Sequence, residues 1–210
     1  METTFTFNFL GVRTRNNEEQ IAFIRKELGV EPSKTKHDWA YYSIGNFTVE
    51  LFARKTTEAY RTNVHPIVSR SKEGKAVDPE GNEWIFVVQG GEGILGVQLD
   101  AHNPEKLQDY YKNTLGMKSI VLGDFVKVED VLESQSLLYL KKSESIFSGE
   151  STIFFSIKTN DIDGAIAHLR EKGITFTREK TSHSWGGTDV LFQDSEGNKV
   201  QVVEYRTHQV

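Results

Sequence analysis

The chain has 210 residues, enough to bury a core as one large domain or two smaller ones without disulfides or a structural metal. It contains no cysteine, which excludes disulfides, thiolate zinc sites, iron–sulfur clusters and cysteine nucleophiles. A formal net charge of −5 without a basic stripe argues against nucleic acid as a partner. The N-terminal METTFTFNFLG lacks a signal-peptide pattern, and no stretch approaches the roughly 20 apolar residues of a membrane span, so a cytoplasmic protein without a membrane partner is expected.

In chain order, FTFNFLG predicts a strand that leads into an amphipathic helix. Asn17 and Gln20 have capping-box spacing, Glu18 and Glu19 suit the positive end of the helix dipole, and Ile21, Ile24 and Leu28 form one stripe before Gly29. WAYYSIG and FTVELFA follow as strands. The stretch Lys55 to Lys75 reads as a loop standing where a second strand-helix opening would be. DPEGNEWIFVVQ, from Asp78 to Gln89, then reads as a turn followed by a strand, with Gly81 supplying the positive φ of the reversal.

The second strand-helix opening is ILGVQLDAHNPEKLQDYYKNTLGM. Asn103 is its N-cap, Pro104 takes the first helical position, Leu107, Tyr111 and Leu115 face inward, and Gly116 is the stop. SLLYLKK predicts a strand, and the polar run Lys141 to Glu150 a solvated connection. The third opening, TIFFSIKTNDIDGAIAHLREKGI, is capped by Asn160 or Asp161, buries Ile162, Ile166 and Leu169, and ends at Gly173. ITFTREK, TDVLF and VQVVEY follow as strands. The last is preceded by DSEGN from Asp194, which repeats the DPEGN phrase.

The repeated unit is therefore roughly βαβββ. The reading divides the chain into an N-terminal domain over 1–91, truncated in that one helix is missing, and a complete C-terminal domain over 92–210 built from the second and third units.

The segments YYKNTLGM, DIDGAIAHLREKGI, SWGGTDVLFQDSEGNKVQVVEY and VDPEGNEWIFV resemble the vicinal oxygen chelate superfamily, which includes glyoxalase I, bleomycin resistance proteins and extradiol dioxygenases. The resemblance implies an α+β fold in which repeated βαβββ modules form open, curled mixed sheets around a cleft, with helices on the outside. The order also resembles the family's tandem-domain members. Catalytic members hold a divalent ion with His, Glu or Gln from first and last strands. The matching positions here are Gly96, Phe154, Gln201 and Tyr139, with Phe9, Glu50 and Ile85 in the N-terminal unit. Only Glu50 and Gln201 are of ligand type, so neither a metal nor another cofactor is expected, and catalysis stays an open question.

Alternation along strands assigns the cleft faces. Phe154, Ser156 and Lys158 share one side, with Phe155 and Ile157 on the other. Gln98 and Asp100 continue from Gly96, with Val97 and Leu99 opposite. The expected ligand-binding set is Gln98, Asp100, Tyr139, Phe154, Ser156, Lys158, Trp185 and Gln201, an aromatic wall with a few polar groups. Asp100 and Lys158 pairing with each other is the bland alternative. His183, in TSHSWGG, is the histidine expected nearest the cleft, and Asp100, Lys158 and His183 could supply proton transfer.

The expected function is binding of a small, partly apolar molecule in the C-terminal cleft without a metal. The alternatives are a divalent-metal lyase or dioxygenase recruiting Glu50, His183 or His102, and a non-catalytic interaction module. Trp39, Tyr41 and Tyr42 are candidates for a smaller cleft or a subunit contact, and a homodimer is expected by analogy.

Overall fold

The computed structural model describes residues 3–45, 47–54, 62–89, 93–123, 137–146, 151–184 and 186–205. The first unit comprises β1 (Phe5–Thr14), α1 (Asn17–Leu28), β2 (Lys34–Lys36), β3 (Trp39–Ile44) and β4 (Phe47–Ala53). A helix-free segment follows, with β5 (Val64–Ser69), β6 (Gly74–Val77) and β7 (Glu83–Val87). Next come β8 (Gly93–Ala101), α2 (Pro104–Leu115), β9 (Ser119–Leu122) and β10 (Leu137–Lys142). The last unit is β11 (Ile153–Thr159), α3 (Ile162–Glu171), β12 (Phe176–Ser182), β13 (Gly187–Gln193) and β14 (Lys199–Tyr205). Among the described residues, no helix is long and apolar enough to cross a membrane.

The helix ends follow their local chemistry. Asn103 caps α2 by accepting from the Lys106 N–H, and Asp161 caps α3 by accepting from the Gly164 N–H. For α1 the cap is Asn16, one residue before the expected Asn17: its carbonyl oxygen accepts from the Glu18 and Glu19 N–H groups, and its amide donates to the Glu19 carboxylate at 2.8 Å. The displaced Asn17 and Gln20 turn inward and are buried.

Two open mixed sheets form. The eight-stranded sheet runs β12-β13-β14-β11-β1-β4-β3-β2, and the six-stranded sheet runs β6-β7-β5-β8-β10-β9. The central pairing of the larger sheet is β1 antiparallel to β11, which joins the first unit to the last. The second strand-helix unit instead pairs through β8 with β5. The hydrogen-bonded partners are thus first with last and the two middle segments with each other, and both sheets draw strands from either side of residue 91. Proximity along the chain suggested another grouping because no residue-level signal states which strand lies beside which.

One apolar core joins the helix-bearing faces of both sheets, from Leu10, Val12, Val49 and Phe155 on one side to Trp84, Val97, Leu99 and Leu138 on the other. The repeated turn holds them together. Asp78 accepts from the backbone N–H of Glu80 and Asn82, from Gln20 on α1 and from the Trp84 indole. Asp194 accepts likewise from Glu196 and Asn198, and from the Tyr111 hydroxyl on α2 at 2.6 Å. Each following glutamate reaches the other sheet. Glu80 accepts from Thr14 and Arg15 at the end of β1, and Glu196 from the His102 and Asn103 N–H groups at the end of β8. The duplicated phrase is a latch between sheets, in which a buried carboxylate shapes the turn and a neighbouring one docks it.

Candidate functional site

Each sheet has a second face, opposite its helices. On the eight-stranded sheet the register places Gly11 beside both Phe154 and Glu50, and Ser156 beside both Phe9 and Gln201. Exchanging β1 with β11 carries Gly11 onto Ser156, Phe9 onto Phe154, Glu50 onto Gln201 and Arg13 onto Lys158. The face therefore has an approximate two-fold built from the first and last units. Phe9 reaches it through a bulge: Phe7 lies opposite Ile157 in the core, the register shifts, and Phe9 lies opposite Ser156.

The expected ligand set divides between the two faces. Phe154, Ser156, Lys158 and Gln201 stand together on the larger sheet, whereas Gln98, Asp100 and Tyr139 stand on the smaller one, because β11 and β8 belong to different sheets. Trp185 lies outside the described residues. The alternative, an Asp100–Lys158 pair, does not form; Asp100 instead pairs with His65 at 3.2 Å and accepts from Gln98 at 2.9 Å. Burial pushes Asp100 up, but the hydrogen bond and charge of His65 outweigh it and hold the carboxyl below its ordinary value. Around this trio the small-sheet face is apolar, with Ile67, Ile85, Val87, Leu122 and the fully buried Tyr139 in one cluster.

The larger face carries more chemistry. The Phe154 ring covers Gly11 so closely that a Cβ there would overlap it, and it stacks on Phe52 at 6.0 Å. Arg13 lies 5.3 Å over the same ring, and the Lys158 ammonium 5.2 Å from the Tyr205 ring, which in turn meets Phe9 at 6.3 Å. Ser156 donates to the Gln201 carbonyl oxygen, and the Gln201 amide donates to Asp189. Asp189, 1% exposed in its side chain, also takes Arg178 at 2.5 Å and faces His183 at 3.1 Å. Trp39 and Tyr41 flank Glu50 on the same face, while Tyr42, expected beside them, points into the core and is fully buried.

Burial pushes Glu50 above the ordinary carboxylate range, partly opposed by a hydrogen bond from Trp39. Tyr205 is pushed up as well, by burial first and then by the charges of Glu50, Tyr41 and Asp189. The Glu50 shift has a sign for stability. Above the unfolded carboxyl value of about 4.5 the folded state must ionise a desolvated group, so wild-type stability falls as pH rises through the folded value. Glu50→Gln is expected to raise Tm at neutral pH, with the gain disappearing below about pH 4.5, where both states are protonated. Thermal unfolding of the two proteins across that range checks it.

The donors do not suit a divalent ion. On the larger sheet the family's positions hold Phe9, Glu50, Phe154 and Gln201, two rings against one carboxylate and one amide, and the amide is already engaged by Ser156 and Asp189. On the smaller sheet Ile85, Gly96 and Tyr139 stand at those positions. Among the described residues, no group of three His, Asp or Glu side chains is arranged to bind a metal.

A cavity of about 420 Å³ lies elsewhere, between the end of α1, the β3–β4 turn and the end of β5. Its charged groups satisfy one another, since Glu27 pairs with Arg70 at 3.1 Å and with Lys26 at 2.9 Å. It is a crevice at the seam of the sheets, and the convergent aromatic, acidic and basic groups are on the larger sheet's open face.

His65, Asp189, Arg178, Arg13 and Tyr205 were not foreseen. Arg13 and Tyr205 each lie four residues, an even step, from a foreseen position, Phe9 and Gln201, so alternation alone could have found them once the strands were bounded.

Paired strand-helix-strand units, with polar and aromatic groups on the face away from the helices, define the vicinal oxygen chelate class of fold. The chain belongs to the Glyoxalase/Bleomycin resistance protein/Dioxygenase superfamily, whose family model matches residues 6–202. No curated protein matches the sequence. In fold it is similar to a point mutant of glyoxalase I from Zea mays, with TM-score 0.76 and 15% identity over 97% of this chain and 93% of that one. Glyoxalase I from Zea mays itself aligns with TM-score 0.70 and 17% identity, over 96% and 93% of the chains. A suspected dioxygenase from Bacillus subtilis subsp. subtilis str. 168 aligns with TM-score 0.64 and 14% identity, over 98% and 87%.

Proposed function

We propose that the chain binds a small, partly apolar molecule on the open face of the eight-stranded sheet, without a divalent ion. What carries the reading is the grouping on one face, from strands of the first and last units, of Glu50, Lys158, Gln201 and Tyr205 with the Phe9 and Phe154 rings. Titratable groups perturbed by burial gather at functional sites more often than elsewhere. Phe9, Phe52 and Phe154 add the apolar surface that small-molecule sites usually present. The ring over Gly11 stands where a metal-binding relative would need a donor, which favours a chelate-free site over the lyase and dioxygenase alternatives.

The test is a titration of small aromatic fragments followed by amide NMR, with and without EDTA. Fragments are expected to shift signals from Glu50, Ser156 and Gln201 equally in both conditions. Phe154→Glu places a charge in the apolar wall and is expected to weaken binding at least about tenfold. Unchanged affinity in that variant would remove the site assignment, and binding that vanishes with EDTA would remove the metal-free reading.

A further inference from the structure

We infer that the ligand of this face carries a negative charge on a flat apolar body, and that Lys158 anchors the charge. The inference rests on the binding site proposed above and adds its ligand class. Lys158 is half-buried on the open face, yet among the described residues no carboxylate pairs with it; its ammonium lies 5.2 Å from the Tyr205 ring. A cation held on an aromatic face keeps most of its charge available to an incoming anion.

Both acidic groups sharing the face are unavailable to Lys158. Asp189 is occupied by Arg178, His183 and the Gln201 amide. Burial disfavours the charged form of Glu50. Arg13, the two-fold counterpart of Lys158, lies over the Phe154 ring, and the anchoring role falls to Lys158. Between the cations lie the rings of Phe9, Phe52, Phe154 and Tyr205, a surface that fits a planar body whose carboxylate, sulfonate or phosphate reaches the ammonium.

The test compares naphthalene-2-carboxylate with naphthalene-2-carboxamide, probes of one shape that differ in charge, by amide NMR titration of wild type, Lys158→Gln and Lys158→Arg. The carboxylate is expected to bind about tenfold tighter than the amide, with Lys158→Gln abolishing the difference and Lys158→Arg retaining it. Equal affinities with shifts at Glu50, Ser156 and Gln201 would overturn the anion inference and leave the binding site standing. If neither probe shifts those residues, both readings fail. A preference for the carboxylate that survives Lys158→Gln would overturn the role of Lys158.

Discussion

Asp78→Ala is expected to lower the free energy of unfolding by about 3–5 kcal/mol. The carboxylate is 4% exposed and accepts from Glu80 N–H at 3.0 Å, Asn82 N–H at 2.9 Å, Gln20 Nε2 at 3.0 Å and Trp84 Nε1 at 3.2 Å. Asn82 Nδ2 donates to it as well, at 2.8 Å to the nearer oxygen. Removing it strands several buried donors at once, each costing roughly 1–3 kcal/mol if unrelieved, and relaxation of the turn keeps the total below their sum. Urea denaturation of wild type and variant measures the loss. Asp78→Asn should be intermediate, because it keeps one acceptor oxygen but aims an NH₂ at the donors of Gln20 and Trp84. A cost below about 1 kcal/mol for Asp78→Ala would mean that the turn is not held as described.

Glu80→Ala is expected to cost about 3 kcal/mol or more, and its cost should depend on pH. Glu80 and Arg54 have side chains 2% and 6% exposed and lie 2.6 Å apart, and Glu80 also accepts from Thr14 and from the side chain of Arg15, each at 3.1 Å. Taking away one partner of a buried ion pair leaves the other desolvated, the costly way to break such a contact. Burial pushes Glu80 up, but the Arg15 backbone N–H and the Arg54 guanidinium outweigh it, and the carboxyl titrates below its ordinary value of 4.5. Its stabilisation is then fully present above about pH 4.5 and lost as pH falls through the folded value. The Tm difference between wild type and Glu80→Ala should therefore be constant near neutrality and shrink in acid. A gap independent of pH would assign the loss to packing rather than to charge.

These two residues belong to the phrase that occurs twice, and they show how sequence and structure divide the information. That each DxEGN is a reversal leading into a strand was legible, since Gly81 and Gly197 do adopt positive φ and β7 and β14 follow. That the aspartate would be buried under a helix residue, and that the glutamate would cross to the other sheet, was not. Both properties depend on partners 58 to 94 residues away in sequence, such as Gln20 for Asp78 and His102 for Glu196.

The candidate site was legible in parts. Alternation correctly placed Phe154, Ser156 and Lys158 opposite Phe155 and Ile157, which are fully buried against the helices. One strand that breaks the local rules was missed. Val64–Ser69 contains Pro66, which lacks a ladder donor, and His65, so a strand was read as loop and the His65–Asp100 pair was missed. The bulge between Phe7 and Phe9 changes the phase of β1, sending one phenyl to the core and the next to the open face.

By itself the sequence determined the three helices with their glycine stops, the repeated turns and the face that each regular strand turns to the core. Those features depend on residues within a few positions of one another, where capping, φ preference and side-chain period act. Only the tertiary structure decided that the first unit pairs with the last, and hence that Glu50 shares a face with Phe154, Lys158 and Gln201. Strand pairing is non-local: any of several apolar strands offers the same backbone donors and acceptors. The choice among them is made by the packing of the whole core and by the carboxylates that latch one sheet to the other.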